Sequence, residues 1–356
     1  MSFVFVTGAL PAGRDGIGDY CRVLADAVAA TATAPALLSL ADAAEEAGLE
    51  RFPTLRLAAA RPWPERIALA RRFLEEQRAD RVFLQLSPYL YQPRGLLQEA
   101  APHLGALLAE RRPLVMVHET WVGELPYHGW KDRLIGPWQR RGFLSALAAV
   151  QPGAVFTNLP LHRQQLARHA IDATLLPLPG NAAVSDAQAP LTLVPPVAGI
   201  FGALWPRFDP SAALDGFVRE AGGAATLLLV GRHGAPQRLA AWRQRHPGLT
   251  IVETGPLDVA ALSGHLNLLS FAIGISPWEL AGKSGTIAAL LEHGVPVLTV
   301  WGDPGQPSGV PDDRAALLHP PGSPVAPLLA RRPGSGPFRP QAPTIAARLV
   351  SALDGR

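Results

Sequence analysis

Short apolar runs alternate with amphipathic segments along most of the chain. In the first half, these runs predict buried strands at residues 2–7, 36–40, 55–58, 81–87, 113–118 and 154–158. In the second half they predict strands at residues 197–201, 226–230, 250–253, 268–275 and 295–300. Between the strands, apolar positions three or four residues apart predict helices, among them residues 64–77, 94–110, 134–149 and 161–170. Such alternation is typical of parallel sheets covered on both faces, so the pattern predicts an α/β protein with two Rossmann-like halves facing a cleft.

The alternation breaks once, in a stretch rich in proline, alanine and small polar residues. This stretch, LPLPGNAAVSDAQAPLTLVPP, covers residues 176–196. We predict a first domain of residues 1–178, a linker of residues 179–196 and a second domain of residues 197–356. The last predicted helix, residues 344–353, either ends the second domain or packs back on the first.

Composition narrows the classes of protein that fit. The 356 residues are 48% apolar and 17% charged, which is enough apolar material for two domains with buried cores. A net charge of +3 without a run of like charge gives no support for nucleic-acid binding. The single cysteine, Cys21, excludes a disulfide framework and fits a reducing compartment. No apolar stretch approaches the roughly 18 residues of a spanning helix, and no charged segment precedes an apolar run at the N-terminus, so we expect a cytoplasmic protein.

The stretch with the clearest chemical pattern is SPWELAGKSGTIAALLEHGVPVLTV, residues 276–300. It predicts the end of a strand, a loop, a helix that begins near Ser284, and a second strand. Unpaired N–H groups and the positive end of the helix dipole would stabilise an anion at that helix start. Lys283 adds a full charge, Ser284 and Thr286 add hydroxyl donors, and Gly285 would let the backbone approach a ligand. The pattern therefore predicts a phosphate site.

Three further observations bear on this prediction. Gly282, like Gly285, would allow a ligand to approach the backbone closely. The alternative is an ordinary strand-to-helix turn, which also uses Gly and Ser. Lys283 is one of only two lysines in an arginine-rich chain, the other being Lys131, and this favours a ligand site. The spacing excludes a phosphate loop of the NTPase type, because Pro277 stands where the first glycine should be and lacks an N–H.

Two arginines follow predicted strands of the second half by a few residues. They are Arg207, in FGALWPRFDP, and Arg232, in LLLVGRHG. The carboxyl ends of parallel strands lie on one edge of a sheet, so both arginines are placed to reach the same edge as Lys283. Three cations at this edge would suit the binding of a diphosphate. The alternative is that the two arginines are ordinary solvated surface residues.

The loop GALPAGRDGIGDY after the first predicted strand resembles a dinucleotide-binding fingerprint only in part. Gly16 and Gly18 give G-x-G, but Cys21 stands where the third glycine should be, and no clear acidic residue ends the second predicted strand. The pattern argues against a redox dinucleotide. The loop would still let a ligand approach the two glycines, and Asp19 fits either an N-cap of the next helix or a contact with an acceptor.

His118 and Glu119 end the predicted strand PLVMVHET, at the edge where open parallel sheets bind ligands. A histidine there can donate, accept or act as a base near neutral pH, whereas a structural histidine with satisfied hydrogen bonds is the alternative. The next stretch, residues 121–141, mixes three tryptophans with basic residues. It fits an acceptor pocket, a peripheral contact with a membrane surface, or aromatic packing between domains.

Three segments together resemble the GT-B glycosyltransferases, most closely their family-4 nucleotide-sugar enzymes. GRDGIGDYCRVLADAV is similar to the family's glycine loop and first helix. VMVHET followed by PWQRRGFLSAL resembles the acceptor-side strand and its long basic helix, and SGTIAALLEHGVPVLT resembles the donor-side helix and strand. These segments lie in both halves of the chain at family-like spacing.

One departure from the family concerns a pair of glutamates around the donor-side helix. The family's glutamates stand eight residues apart, the second contacting the nucleotide ribose, and the corresponding residues here are Ala281 and Ala289. Glu279 is a candidate to replace the first glutamate, and Glu292 lies one helical turn beyond the second position. Some similar members use a basic residue followed by small hydroxyl and glycine residues instead, which the segment from Lys283 would match.

A second departure concerns the Arg and Lys that clamp the donor diphosphate in the family. Arg207 stands about where the Lys is expected, but Ala203 occupies the position of the Arg. Donor binding would then depend on Lys283, Arg207 and the helix N-terminus.

The resemblance implies transfer of a sugar from a nucleotide diphosphate sugar to a glycan, lipid-linked or small-molecule acceptor, without a covalent cofactor or an obligatory metal. The second domain would hold the donor and the first the acceptor. The implied donor-binding residues are Arg207, Arg232, Glu279, Lys283, Ser284, Gly285 and Thr286. The implied residues of the first domain are His118 and Glu119 for catalysis and Gly16, Gly18 and Asp19 for the cleft loop. The alternatives are a non-catalytic GT-B protein that binds a nucleotide or a partner, and an NAD-linked oxidoreductase.

Overall fold

The structure is a computed structural model that describes residues 2–10, 16–31, 33–43, 51–124, 128–185, 188–234, 236–330 and 339–354. The chain divides into two compact units. Unit 1 comprises Met1–Leu176 and Ala342–Arg356, and unit 2 comprises Pro177–Gln341. Each unit is built on its own parallel sheet.

The sheet of unit 1 has seven strands in the described part of the chain. They are β1 (Ser2–Thr7), β2 (Ala34–Asp42), β3 (Thr54–Ala58), β4 (Arg81–Leu86), β5 (Leu114–Val117), β6 (Ala154–Thr157) and β7 (Thr174–Leu175). All pairs are parallel, in the order β3-β2-β1-β4-β5-β6-β7. The helices between the strands are α1 (Gly16–Ala29), α2 (Trp63–Glu76), α3 (Ala100–Leu108), α4 (Trp130–Val150) and α5 (Pro160–Ala167).

Both faces of this sheet are buried, which explains why its strands are apolar at successive positions. On one face the rings of Phe3, Phe5 and Phe83 pack together, with 5.9 Å between the centroids of Phe5 and Phe83. On the other face, Val4 and Val6 belong to the main core cluster of unit 1. The side chains of β1 therefore alternate between two cores, as the period of two residues requires.

The sheet of unit 2 has six strands in the described part of the chain. They are β8 (Val197–Phe201), β9 (Ala225–Val230), β10 (Leu249–Glu253), β11 (Phe271–Gly274), β12 (Val297–Thr299) and β13 (Leu318–His319). They are parallel, in the order β10-β9-β8-β11-β12-β13. The helices are α6 (Ser211–Glu220), α7 (Pro236–Arg245), α8 (Val259–Asn267), α9 (Gly285–Glu292), α10 (Asp312–Ala315) and α11 (Ala326–Leu329). The last helix, α12 (Ala342–Asp354), packs against α1 of unit 1.

The predicted α/β class with two parallel sheets is confirmed, and the differences are local. The helix predicted at residues 94–110 begins only at Ala100, because Gly95 has a φ of +71° and turns the chain. Helix α6 begins at Ser211 after Pro210, and the Asp209 carboxylate accepts a hydrogen bond from the Ser211 N–H at 3.0 Å. The described part of the predicted linker, residues 179–185 and 188–196, belongs to unit 2, where Thr226 Oγ1 donates to the carbonyl of Val194 at 2.8 Å. No helix of the described residues is long and apolar enough to cross a bilayer.

The expectation that no acidic residue ends the second strand is wrong. β2 continues to Asp42, whose side chain is fully buried. One carboxylate oxygen of Asp42 accepts hydrogen bonds from Leu10 N at 3.2 Å, Ser39 Oγ at 2.6 Å and Arg56 Nε at 3.0 Å, and the other accepts from Arg56 Nη2 at 3.1 Å. These donors occupy both oxygens, so Asp42 ties the first loop to the sheet instead of presenting an open carboxylate to a ribose.

The hydrogen bonds of Asp42 also set its pKa. Burial by itself would raise this pKa, but the hydrogen bonds from Arg56 and Ser39 and the charge of Arg56 outweigh burial, so the pKa lies below its ordinary value. The ionised carboxylate therefore stabilises the fold above its ordinary pKa. This contribution is lost as the pH falls through the lowered pKa of the folded state.

We predict that Asp42→Asn lowers the free energy of unfolding by about 3 kcal/mol at neutral pH, because it leaves a buried guanidinium without its counter-charge. The Arg56 side chain is only 12% exposed. The control is Asp26→Asn, which removes an exposed ion pair with Arg51 at 2.9 Å and should change the stability by less than about 1 kcal/mol. Urea unfolding at pH 7 and pH 3 measures both effects. Equal losses for the two variants at pH 7, or a loss for Asp42→Asn that is undiminished at pH 3, would contradict the prediction.

Candidate functional site

Three neighbouring strands of unit 2 bring the predicted cations to one edge of the sheet. β9, β8 and β11 are adjacent and parallel, so the segments after them leave from the same carboxyl edge. Arg232 follows β9, Arg207 follows β8, and Lys283 follows β11 at the end of a 3-10 helix, Trp278–Lys283. Both arginines are exposed and Lys283 is partly exposed. Binding of a diphosphate by these three residues stays a prediction.

Helix α9 begins where the sequence predicts a helix start. Ser284 is its N-cap, with Oγ accepting the N–H of Ile287 at 3.3 Å and lying 3.0 Å from Oγ1 of Thr286. The Ser284 carbonyl accepts the first hydrogen bond of the helix, from Ala288 N at 2.9 Å. Within the described residues, no acceptor takes the N–H groups of Gly285 and Thr286. These groups and the helix dipole make this end of α9 electropositive.

The loops after β8 and β9 meet beside the first turn of α9. Gly202 has a φ of +103°, and a Cβ at this position would lie 3.2 Å from Cγ2 of Thr286. Its carbonyl accepts a hydrogen bond from Nδ1 of His233 at 3.0 Å, and its N–H donates to the carbonyl of Val230 at 3.1 Å. Burial lowers the pKa of His233, so its imidazole is neutral at neutral pH. His233 is not among the candidate site residues identified from the sequence. The one sign in the sequence was its position directly after Arg232, in the segment that follows a predicted strand.

The two glycines expected to admit a ligand lie against the protein chain itself. A Cβ on Gly282 would come within 2.5 Å of the carbonyl of Gly309, and the Gly282 N–H donates to the carbonyl of Ser308 at 2.8 Å. A Cβ on Gly285 would lie 3.3 Å from Cβ of Asn181. Asn181 is exposed beside the first turn of α9, a position that its place in the predicted linker did not suggest.

The positions of the missing glutamates are closed by packing. Ala281 is 1% exposed and Ala289 is fully buried. The segment at Gly180 covers Ala289, since a Cβ on that glycine would lie 2.6 Å from Cα of Ala289. Glu279, the candidate to replace the first glutamate, is buried, and its Oε2 accepts the N–H of Asp303 at 2.8 Å. The carboxylate of Glu279 thus supports the loop after β12, and a donor contact for it stays a prediction.

Glu292 is engaged inside unit 2, and a contact between this residue and a ribose stays a prediction. It is 3% exposed, and its Oε1 accepts the N–H groups of Gly180 at 2.9 Å and Gln341 at 3.2 Å. Nη1 of Arg314 lies 3.6 Å from the same oxygen. Burial raises the pKa of Glu292 despite these partners.

The candidate catalytic residues of unit 1 lie at the carboxyl edge of β4 and β5. His118 is 6% exposed, and its Nε2 donates a hydrogen bond to Oε1 of Gln85 at 2.9 Å. The ring of Tyr20 meets the imidazole edge to face, with 5.0 Å between the centroids. Ser87 Oγ donates to Oε2 of Glu119 at 3.4 Å. The structure therefore holds His118 in a defined orientation, and a role for either residue in catalysis stays a prediction.

The glycine loop of unit 1 lies in part outside the described residues, which exclude residues 11–15. Helix α1 begins at Gly16, so Asp19 lies within its first turns and the proposed N-cap role is wrong. Asp19 Oδ1 is 3.6 Å from Nη1 of Arg22. A Cβ on Gly18 would lie 2.9 Å from the carbonyl oxygen of Ala9, whereas a Cβ on Gly16 would meet no atom of the described residues within 4 Å. Gly18 thus allows α1 to pack closely on the loop after β1.

No protein-family profile and no curated protein sequence matches the chain. Solved structures do match it over its whole length. Anabaena HepE in complex with UDP-glucose superimposes with a TM-score of 0.58 at 14% identity over 100% of both chains. AviGT4, a glycosyltransferase involved in avilamycin A biosynthesis, has a TM-score of 0.55 at 16% identity over 99% of this chain and 97% of its own. The UDP-GlcNAc 2-epimerase from Methanocaldococcus jannaschii has a TM-score of 0.54 at 10% identity over 100% of both chains.

These matches show that the chain has the GT-B fold, as the resemblance predicts. Matches at such low sequence identity establish the fold and not the activity. Membership of family 4 stays a prediction.

We predict that Gly18→Ala lowers the free energy of unfolding by about 1–3 kcal/mol, because the added methyl group meets backbone atoms that have little room to move. The matched control is Gly16→Ala, which adds the same methyl group to open space at the start of the same helix and should be neutral or slightly stabilising. Urea unfolding of the two variants measures the difference. A loss for Gly16→Ala as large as that for Gly18→Ala would contradict the packing role of Gly18.

Proposed function

We propose that the protein transfers a sugar from a nucleotide diphosphate sugar, bound by unit 2, to an acceptor bound by unit 1. The observation that carries this proposal is the carboxyl edge of the second sheet, where the N-terminus of α9 and the cations Lys283, Arg207 and Arg232 follow three adjacent strands. A diphosphate is the kind of ligand that such an edge stabilises. Solved structures with the same fold include a complex with UDP-glucose and a glycosyltransferase, which supports the choice of donor.

The donor side of this reaction needs charge stabilisation. Negative charge grows on the diphosphate as its bond to the sugar breaks. Lys283 and the N–H groups of Gly285 and Thr286 would stabilise that charge more strongly in the transition state than in the ground state. Gly202, whose carbonyl accepts the hydrogen bond from His233, lets the β8 loop pack against Thr286 at the start of α9. In this scheme Arg207 and Arg232 supply supporting charge from the two neighbouring loops.

The acceptor side needs a group that takes the proton of the attacking hydroxyl. His118 and Glu119 follow β5 and are the titratable candidates at the edge where β4 and β5 end. The hydrogen bond between His118 and Gln85 sets the direction of the imidazole. A proton acceptor with a set orientation is what general base catalysis requires.

A second candidate function acts on the same kind of donor. The UDP-GlcNAc 2-epimerase from M. jannaschii superimposes about as well as the glycosyltransferase AviGT4. An epimerase would use the same diphosphate-binding edge without an acceptor. A non-catalytic nucleotide-binding protein is the third candidate, because Ala281 and Ala289 replace the glutamates of the resembled family and are buried.

We predict that Lys283→Ala weakens the affinity for a nucleotide diphosphate about ten- to a hundredfold, since it removes one charge-assisted contact. The matched control is Lys131→Ala, which removes the other lysine of the chain from the exposed surface of α4 in unit 1 and should leave this affinity unchanged. Titration calorimetry with UDP, ADP, GDP and dTDP measures both variants. Equal affinities of wild type and Lys283→Ala for every nucleotide bound would refute the assignment of Lys283.

A separate assay distinguishes the three candidate functions once a nucleotide class is known. The protein is incubated with the matching nucleotide sugars, and NMR follows the sugar and the nucleotide with and without acceptors. Transfer requires release of the nucleotide diphosphate that depends on an acceptor. Inversion at a sugar carbon without an acceptor would indicate epimerisation, and binding without turnover of any sugar would favour the non-catalytic protein.

A further inference from the structure

Helix α4 of unit 1 carries large apolar side chains on its exposed face. Trp130, Leu134 and Trp138 are 69%, 66% and 63% exposed, and we call them the α4 stripe. They stand four residues apart, so they follow one another along one side of the helix. With about 100° of rotation per residue, the three lie within an arc of about 80°. The opposite side of α4 is buried against unit 1 through residues such as Phe143 and Gln139.

The α4 stripe is distinct from scattered surface hydrophobics. The other large apolar side chains recorded as exposed among the described residues lie on separate elements, for example Leu69 at 37% and Val194 at 67%. A contiguous exposed apolar surface marks an interaction site, whereas single exposed residues need no explanation. Tryptophan is the residue type that prefers the boundary between water and the apolar part of a bilayer.

Positive charges surround the α4 stripe. Viewed down the helix axis, Lys131 lies just outside one edge of the arc of about 80° and Arg133 lies outside the other edge. Arg141 lies within the arc, about one turn beyond the last tryptophan. All three side chains are exposed. The one acidic residue of the helix, Asp132, projects from the far side of the arc and accepts the N–H of Gly129 at 2.9 Å as part of the helix cap.

We infer that the N-terminal half of α4 docks on the surface of an anionic lipid membrane. The two tryptophans and Leu134 would enter the headgroup region, and the flanking cations would contact the lipid phosphates. This inference concerns unit 1 and does not depend on the proposed transfer reaction.

Charge complementarity favours a membrane over a second copy of the chain. A two-fold symmetric dimer would place the α4 stripe against itself and would bring the flanking cations of both copies, Lys131, Arg133 and Arg141, to the rim of one interface. In that arrangement, positive charges of the two copies would repel each other around a small apolar contact. An anionic surface instead satisfies the cations and the apolar residues together.

The test is co-sedimentation of the full chain with vesicles of pure phosphatidylcholine and with vesicles that also contain anionic phosphatidylglycerol, whose negative surface potential attracts basic segments. We expect binding to the anionic vesicles that weakens when the salt concentration rises. The double variant W130A/W138A should lose at least about tenfold in partitioning, because it removes most of the apolar surface of the stripe. The control is Trp205→Ala, which removes a 43% exposed tryptophan from unit 2 and should bind like wild type. The charge variant K131E/R133E should lose binding to anionic vesicles specifically.

Three results would overturn the inference. One is absence of binding to anionic vesicles by a wild-type protein whose thermal unfolding is cooperative. Another is equal loss of binding in Trp205→Ala and W130A/W138A. The third is a concentration-dependent dimer, seen by light scattering, that W130A/W138A dissociates while vesicle binding stays unchanged, which would assign the α4 stripe to self-association.

Discussion

The buried carboxylate of Glu292 is the interaction on which the arrangement of unit 2 depends. It lies in the last turn of α9 and accepts the N–H of Gly180, close to where the chain enters unit 2, and the N–H of Gln341, where the chain leaves it. Arg314 supplies the counter-charge at 3.6 Å. Each buried polar group left without its partner would cost about 1–3 kcal/mol, and more for a charge. The segments at Gly180 and Gln341 are therefore both fixed to the C-terminal turn of α9.

The hydrogen bonds of Glu292 affect the candidate site because the site lies at the N-terminal end of the same helix, α9. The segment held by Glu292 lies across Ala289 and reaches Asn181 beside Gly285. An α9 that cannot shift keeps its N-terminal N–H groups in one place, and groups that need no reorganisation stabilise developing charge best. The same packing explains the alanine at position 289, since the chain at Gly180 takes up the space that a glutamate would need.

The carboxyl edges of the two sheets carry different kinds of side chain. At the carboxyl edge of unit 1, neutral and titratable side chains such as Gln85, Ser87 and His118 form hydrogen bonds with one another or with their neighbours. At the carboxyl edge of unit 2, arginines and a lysine accompany a helix N-terminus. In the proposed reaction, the first edge moves a proton and the second holds the diphosphate. A transferase needs both abilities, one for the acceptor hydroxyl and one for the leaving group.

Local patterns were sufficient to predict the elements and their class. Strands buried on both faces read as apolar runs, helices show their period of 3.6 residues, and the cap at Ser284 depends only on Ile287 three residues away. The same reasoning placed the cations Arg207, Arg232 and Lys283 after strands of one sheet. It could not show that Asp42 ends β2 and binds Leu10, because the two are 32 residues apart in the chain.

Tertiary structure alone decided what surrounds each candidate residue. The sequence shows glycine at positions 282 and 285, but only the fold shows that a side chain there would meet Gly309 or Asn181. Glu292 follows the second glutamate position by one helical turn, and the sequence does not show its hydrogen bond with the N–H of Gly180, 112 residues away. Periodicity reports only which side of an element is buried, and the identity of the group on that side comes from chain segments distant in sequence.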